Sequence, residues 1–298
     1  MVIGISLGDR VRDFDIILED FLGETVHIIR RGTDGDMKRF AQLMKSSDGG
    51  AHVIGLGGLD LWLWCGEKRY SWRVVSNLLK NVKRAYVVDG SGMKNTLERL
   101  TIKYLQNEGI VDFKNSNTML VCGVDRFGMA ETIWEQGGSV LYGDLMFGLG
   151  IPFPIRSLRG LHIMARTMLP IVTKMPISWL YPIGKKQKEI VPKFREHYFW
   201  ADVICGDNHY IHRHMPMNLS GKIIETNTTT SKDISDYRDR GVKLVVTTTP
   251  SLGGRTPGTN IFEAAVVAVL NKNPADLTAV DYEKALKKMN WKPNLIEL

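Results

Sequence analysis

Gly123, Asp125 and Gly128 stand in VCGVDRFGMAETIWEQGGSVLYGDL, residues 121–145, between an apolar strand pattern and a helical one. That is the skeleton of a dinucleotide-binding strand–helix–strand unit. A pyrophosphate needs close backbone approach and free N–H groups at a helix N-terminus. Gly123 suits the tight turn, and Gly128 suits close packing of helix on strand. Arg126 and Phe127 complete the candidate cofactor-binding turn. Asp144 follows Gly123 by 21 residues, at the end of the next apolar strand. A carboxylate there accepts from a ribose 2′-hydroxyl and repels a 2′-phosphate, which favours NAD over NADP. Asp125 replaces the middle glycine of the fingerprint. Like charges about 4 Å apart cost on the order of 4 kcal/mol at an effective dielectric near 20. Asp125 must therefore point away, be neutralised by Arg126, or belong to a site that holds something else.

Other chemistry-bearing residues fall at strand ends. VVDGSGMKNTLER places Asp89 at the end of a strand and Lys94 near a helix N-terminus. The helix dipole disfavours a cation there, so Lys94 is expected to have a depressed pKa suited to a general base, with Asp89 opposing. GLGGLD ends a buried strand and aims Asp60 at the cleft; its glycines suit close backbone approach, a bulge or a turn. RGTDGD offers Asp34 as a polarising acid, although turn formation and N-capping by Asp36 explain most of that segment. GDNHYIHRHMP puts Asp207 and His209 after a strand, placed for cofactor or substrate. His212 and His214 alternate without a second cluster, and no metal is expected. NTTT and TTTP supply Thr228 and Thr247, Thr248 and Thr249, suited to ribose, phosphate or carboxamide; NTTTSKD also reads as an N-cap. Arg255, in GRTPGTN, precedes a further helix N-terminus.

The elements that must position these residues alternate. Strand patterns over 2–7, 25–30, 51–58 and 85–90 are separated by helical ones over 37–46, 73–82 and 93–106. A second series begins after the polar bridge at 107–117 and closes with a helix over 260–270. Strands separated by helices argue for parallel pairing. The expected fold is α/β: a Rossmann-like, doubly wound parallel sheet domain preceded by a smaller α/β domain. The expected division is a substrate domain over 1–113, a dinucleotide-binding domain over 114–270 and a helical tail over 271–298 packing back on the first. A long helical region near 157–199 should end or kink at Pro170, Pro176 and Pro182.

The net charge of +7 is local: residues 149–200 carry nine Lys/Arg against Glu189 and Glu196. Such a field could attract phosphates, an acidic substrate or an anionic membrane surface, or simply be a solvated helical face. LMFGLGIPFPI (145–155), at its start, could wall an apolar pocket or touch a membrane, although a buried helical subdomain is the commoner arrangement. No run approaches eighteen apolar residues, so no transmembrane helix is expected. The N-terminus enters a strand without a basic, signal-like region. Cys65, Cys122 and Cys205 read as buried free thiols in a cytoplasmic protein. No basic stripe interleaved with aromatic residues points to nucleic acid. A small acidic molecule is the expected partner, with a homodimer possible.

RGTDGDM, GLGGLDLWL, VVDGSGMKNTLER, DRFGMAE, LYGDLMFGLGIP, GKIIETNTTT and VTTTPSLGGRTPGTNIFEA together resemble bacterial proteins of the quinate/shikimate 5-dehydrogenase-like family. The likeness runs over nearly the whole chain. It implies two α/β domains and a nicotinamide-type cleft. Lys94, in GMKNT, stands in a setting comparable to that of the family's catalytic lysine, and Asp34, in GTDGD, echoes its aspartate. The expectation is an NAD(H)-dependent oxidoreductase acting on a small polar hydroxy or oxo acid. Lys94 would move the proton, with Asp34 or Asp60 polarising it. A non-redox enzyme (transferase or lyase) and a ligand-binding or membrane-surface protein are the alternatives.

Overall fold

The computed structural model describes residues 1–65, 68–80, 82–174, 189–250 and 257–298, with the side chains of 63–65, 68–69 and 73–74 left out. Arg255, Pro176, Pro182, Lys185, Lys186, Lys188 and the Cys65 thiol lie outside the described residues and side chains. The chain forms an α/β fold built on two sheets rich in parallel pairing.

The first sheet contains β1 (Val2–Ser6), β2 (Phe14–Phe21), β3 (Glu24–Gly32), β4 (Val53–Gly57) and, last along its edge, Tyr86–Val88. Between the last two runs a small antiparallel hairpin, β5 (Trp62–Cys65) and β6 (Lys68–Ser71), so Tyr86–Val88 is β7. The order is β2-β3-β1-β4-β7, with only β2 antiparallel. The second sheet holds β8 (Asn117–Leu120), β9 (Ser139–Tyr142), β10 (Val203–Cys205), β11 (Ile223–Thr226), β12 (Leu244–Thr247) and β13 (Asn294–Glu297). Its order is β13-β12-β11-β10-β8-β9. In each sheet the first parallel strand is flanked by later strands on both sides. Loops beyond the carboxyl ends of such strands diverge there and open a crevice.

Ten described helices connect and cover these strands: α1 (Met37–Ser47), α2 (Arg73–Leu79), α3 (Ser91–Asn107), α4 (Phe127–Gln136), α5 (Leu158–Val172), α6 (Arg195–Trp200), α7 (Asn208–His214), α8 (Ser231–Arg238), α9 (Thr259–Leu270) and α10 (Ala279–Lys288). Local chemistry fixes several starts. Asp36 caps α1 by accepting from the N–H groups of Lys38 and Arg39, and Thr230 and Asp233 form a capping box on α8. Pro170 sits inside α5, which runs on to Val172 rather than breaking at the proline. Helix α9 follows β12 of the second sheet in sequence yet lies on the first, against β4 and β1. Small residues allow this: a Cβ on Gly55 would meet the Asn260 carbonyl oxygen at 2.7 Å. Gly90, at φ +93°, adopts a left-handed conformation where a Cβ would lie 2.7 Å from the Asn260 nitrogen. The tail also joins both halves, because α10 packs on α3 while β13 pairs antiparallel with β12.

Candidate functional site

The carboxyl ends of both sheets deliver charged residues to one place. Asp60 follows β4, Lys94 lies in the first turn of α3, Asp125 and Arg126 follow β8, and Asp207 follows β10. Arg126, 3% exposed, is the stitch between them. Its guanidinium donates to Glu98 on α3 and to Asn227 after β11, and it reaches Asp207 at 3.3 Å. Burial works against its charge, but Glu98, Asp125 and Asp207 outweigh that and raise its pKa. Lys94 Nζ lies 3.5 Å from Asp125 Oδ2. Asp89 turns away, accepting from the backbone of Leu61, Trp62 and Ser91.

Beside this cluster lies a cavity of about 100 Å³. Asp60 and Asp125 border it, and Trp72, Leu145, Met164, Met168 and Leu169 wall it. Burial, with Asp89 and Asp125 adding to it against Lys94, pushes the Asp60 carboxyl up to about 6. Asp125 Oδ1 is buried and has no hydrogen-bond partner. Cys122 also faces the cavity, where burial drives its thiol well above its ordinary pKa, so it is no nucleophile at neutral pH.

Several expectations are corrected here. The Lys94 pKa is raised rather than depressed: burial lowers it, but Asp125 and then Asp60 and Glu98 prevail over that and over Arg126. Asp144 does not face a ribose. Its carboxylate turns inward and accepts from the Gly123 N–H at 3.0 Å and the Val124 N–H at 2.8 Å. Those are the turn donors a pyrophosphate would need, so the aspartate read as an NAD determinant closes the phosphate site itself. Gly128 packs α4 on α3 rather than on a strand, since a Cβ there would collide with Asn95. Phe127 is 4% exposed, with its ring against His162. Asp34 stands apart, held at the surface by the Arg10 backbone N–H at 2.9 Å and the Arg10 side chain at 2.5 Å.

The threonines also have other duties. Thr249 Oγ1 lies 3.2 Å from Thr259 Oγ1, Asn294 donates to Thr247 Oγ1 and the Thr249 carbonyl, and Trp291 donates to the Thr248 carbonyl. Thr228 lies in the partly buried loop after β11. His209 is exposed, and its N–H is capped by Asp207. His212 pairs with Asp236 at 2.8 Å and His214 contacts the Val191 carbonyl at 3.0 Å. Among the described residues no group of three or more His, Cys, Asp or Glu could hold a metal. Sequence reasoning missed Glu98 and Asn227 as partners of Arg126. An acid four residues after Lys94 on the same helix was the available signal for Glu98.

The family model for the domain of unknown function DUF8754 matches residues 92–298, more than half of the chain. The chain belongs to the DUF8754 family. A second model, for the domain of unknown function DUF8753, matches residues 1–89. No curated protein matches. Among solved structures the chain is similar to an ABC transporter solute-binding protein from Burkholderia multivorans, at 10% identity and TM-score 0.40, covering 99% of this chain and 97% of that one. It is also similar to a periplasmic solute-binding protein from Actinobacillus succinogenes 130z with bound D-allose, at 9% identity and TM-score 0.37, covering 99% and 96%. A galactofuranose-binding protein aligns at 12% identity and TM-score 0.37, covering 97% and 99%. The expected membership of the quinate/shikimate dehydrogenase-like family is thereby corrected, because the models that match are those of DUF8754 and DUF8753. The expected NAD-dependent oxidoreductase falls with it, and the inward Asp144 supplies the physical reason.

Proposed function

We propose that the chain binds a small amphipathic molecule in the crevice between its two Rossmann-like sheets. The ligand's head carries an ammonium or hydroxyl donor, and its body is apolar. One observation carries this reading: Asp125 Oδ1 is buried beside the cavity without a donor. An unpaired buried acceptor costs about 1–3 kcal/mol, which a ligand donor would recover. The head's sign follows from charge. Asp60, Asp125 and Asp144 line the cavity with no lysine or arginine among its described lining residues, while Lys94 and Arg126 reach Asp125 from outside it. The cavity rim therefore favours a cation over the acidic substrate expected from the sequence. The body follows from Trp72, Met164 and Met168, which adapt to irregular apolar shapes.

A matched series tests this: calorimetric titration at pH 7.5 with n-hexylamine, 1,2-hexanediol and hexanoate. The expected order of affinity is amine, then diol, then carboxylate. Tightest binding by hexanoate, or no binding by any of the three, would overturn the reading.

A further inference from the structure

From Leu145 to Lys188 the sequence contains no Asp or Glu. Helix α5 lies in that stretch and presents two faces. Leu161, Ala165 and Leu169 are buried, while Arg159, Ile163, Arg166 and Pro170, with Lys174 just beyond the helix end, form one exposed row at helical spacing. Ile163 and the flanking Ile171 are each 56% exposed. Among the described residues, none of Arg159, Arg166 and Lys174 has a carboxylate within ion-pair distance. A surface groove of about 640 Å³ lies between this row and α4, lined by Trp134, Arg159, Ile163 and Arg166. Trp134 is 42% exposed.

We infer that this face docks on an anionic lipid bilayer. Unpaired cations alone would suit any polyanion, and exposed isoleucines alone would suit any apolar partner. Their alternation along one helix suits the lipid interface, where arginines bind phosphates while apolar side chains reach the acyl boundary. A tryptophan beside two arginines fits the same depth, since indole is favoured at headgroup level. Among the described residues no helix is long and apolar enough to cross a membrane, so the contact is peripheral. It does not depend on the ligand proposed for the crevice, because the opposite side of α5 walls that cavity through Met164 and Met168.

The test is sedimentation of the full chain with vesicles of pure phosphatidylcholine and of phosphatidylcholine with 30% phosphatidylglycerol, at low and high salt. The expected result is at least tenfold stronger binding to the anionic vesicles, falling steeply with salt. The variant Arg159→Gln/Arg166→Gln should lose about fivefold per cation removed, and Ile163→Ser should weaken binding further. Circular dichroism and thermal denaturation check that each variant keeps its fold. Equal binding to both vesicle types, no binding to either, or binding unchanged in the double variant would overturn the inference. So would light scattering that shows a dimer split by Arg159→Gln/Arg166→Gln, because the face would then be a contact between copies of the chain.

Discussion

Arg126 is the residue on which the two halves depend. It joins Glu98, Asn227 and Asp207 from three separate elements while 3% exposed. Replacing it by methionine would strand Glu98, whose Oε2 already lacks a partner. Removing one member of a buried ion pair costs about 3–5 kcal/mol, so Arg126→Met should lower the denaturation free energy by that order. A loss under 1 kcal/mol would show that the stitch is dispensable. Asp60 gives the cavity a pH dependence. With its carboxyl at about 6, and that of Asp144 beside the same cavity also at about 6, hexylamine affinity should fall as pH drops from 7.5 through 6, as both take protons. Pairs of acids and bases at strand ends were legible in the sequence. What each one faces was not, because Asp144 and Asp125 are sorted by contacts with Gly123, Val124 and Lys94 that only the folded chain brings about.

Among the elements, the parallel strands and the longer helices announce themselves through apolar runs spaced by amphipathic ones. Strand β2 does not, because it is an edge strand with acids at Asp15, Glu19 and Asp20 and with Ile17 62% exposed. Helix α7 is hidden for another reason: seven residues rich in histidine carry too little apolar periodicity to distinguish a turn of helix from a loop. The return of α9 to the first sheet was written only in its glycines. Gly55→Val should cost more than 2 kcal/mol, since the new side chain meets backbone of α9 that cannot give way. Gly148→Ala, where a Cβ meets nothing within 4 Å, serves as the control and should stay within about 0.5 kcal/mol. Comparable losses for the two would remove the packing argument.

For the whole molecule, the interior holds acids that prefer their protons. Burial raises Asp60 and Asp144 to about 6 and Glu263 to about 7, each above its ordinary value. A raised acid keeps a proton in the fold that the unfolded chain has released. Its stabilising effect is therefore fully present below the unfolded pKa and is lost as pH rises through the folded one. Between pH 4 and 7 the denaturation free energy should fall as pH rises. Asp144→Asn should flatten that slope by at most about 3 kcal/mol. The surface acids held low by hydrogen bonds, such as Asp34 and Asp48, act only below this window. Burial holds the His197 and His214 imidazoles low, which opposes the fall over its upper part. A maximum near neutral pH would contradict the picture of a fold under electrostatic load at the junction of its sheets.

In the proposed function, Asp125 Oδ1 awaits a donor from a bound molecule. The most direct measurement is the ratio of hexylamine to hexanoate affinity in the native chain and in Asp125→Asn, by calorimetry at pH 7.5. A ratio well above one that drops about tenfold in the variant is the predicted result. A ratio at or below one, or one that the substitution leaves unchanged, would place the ligand elsewhere.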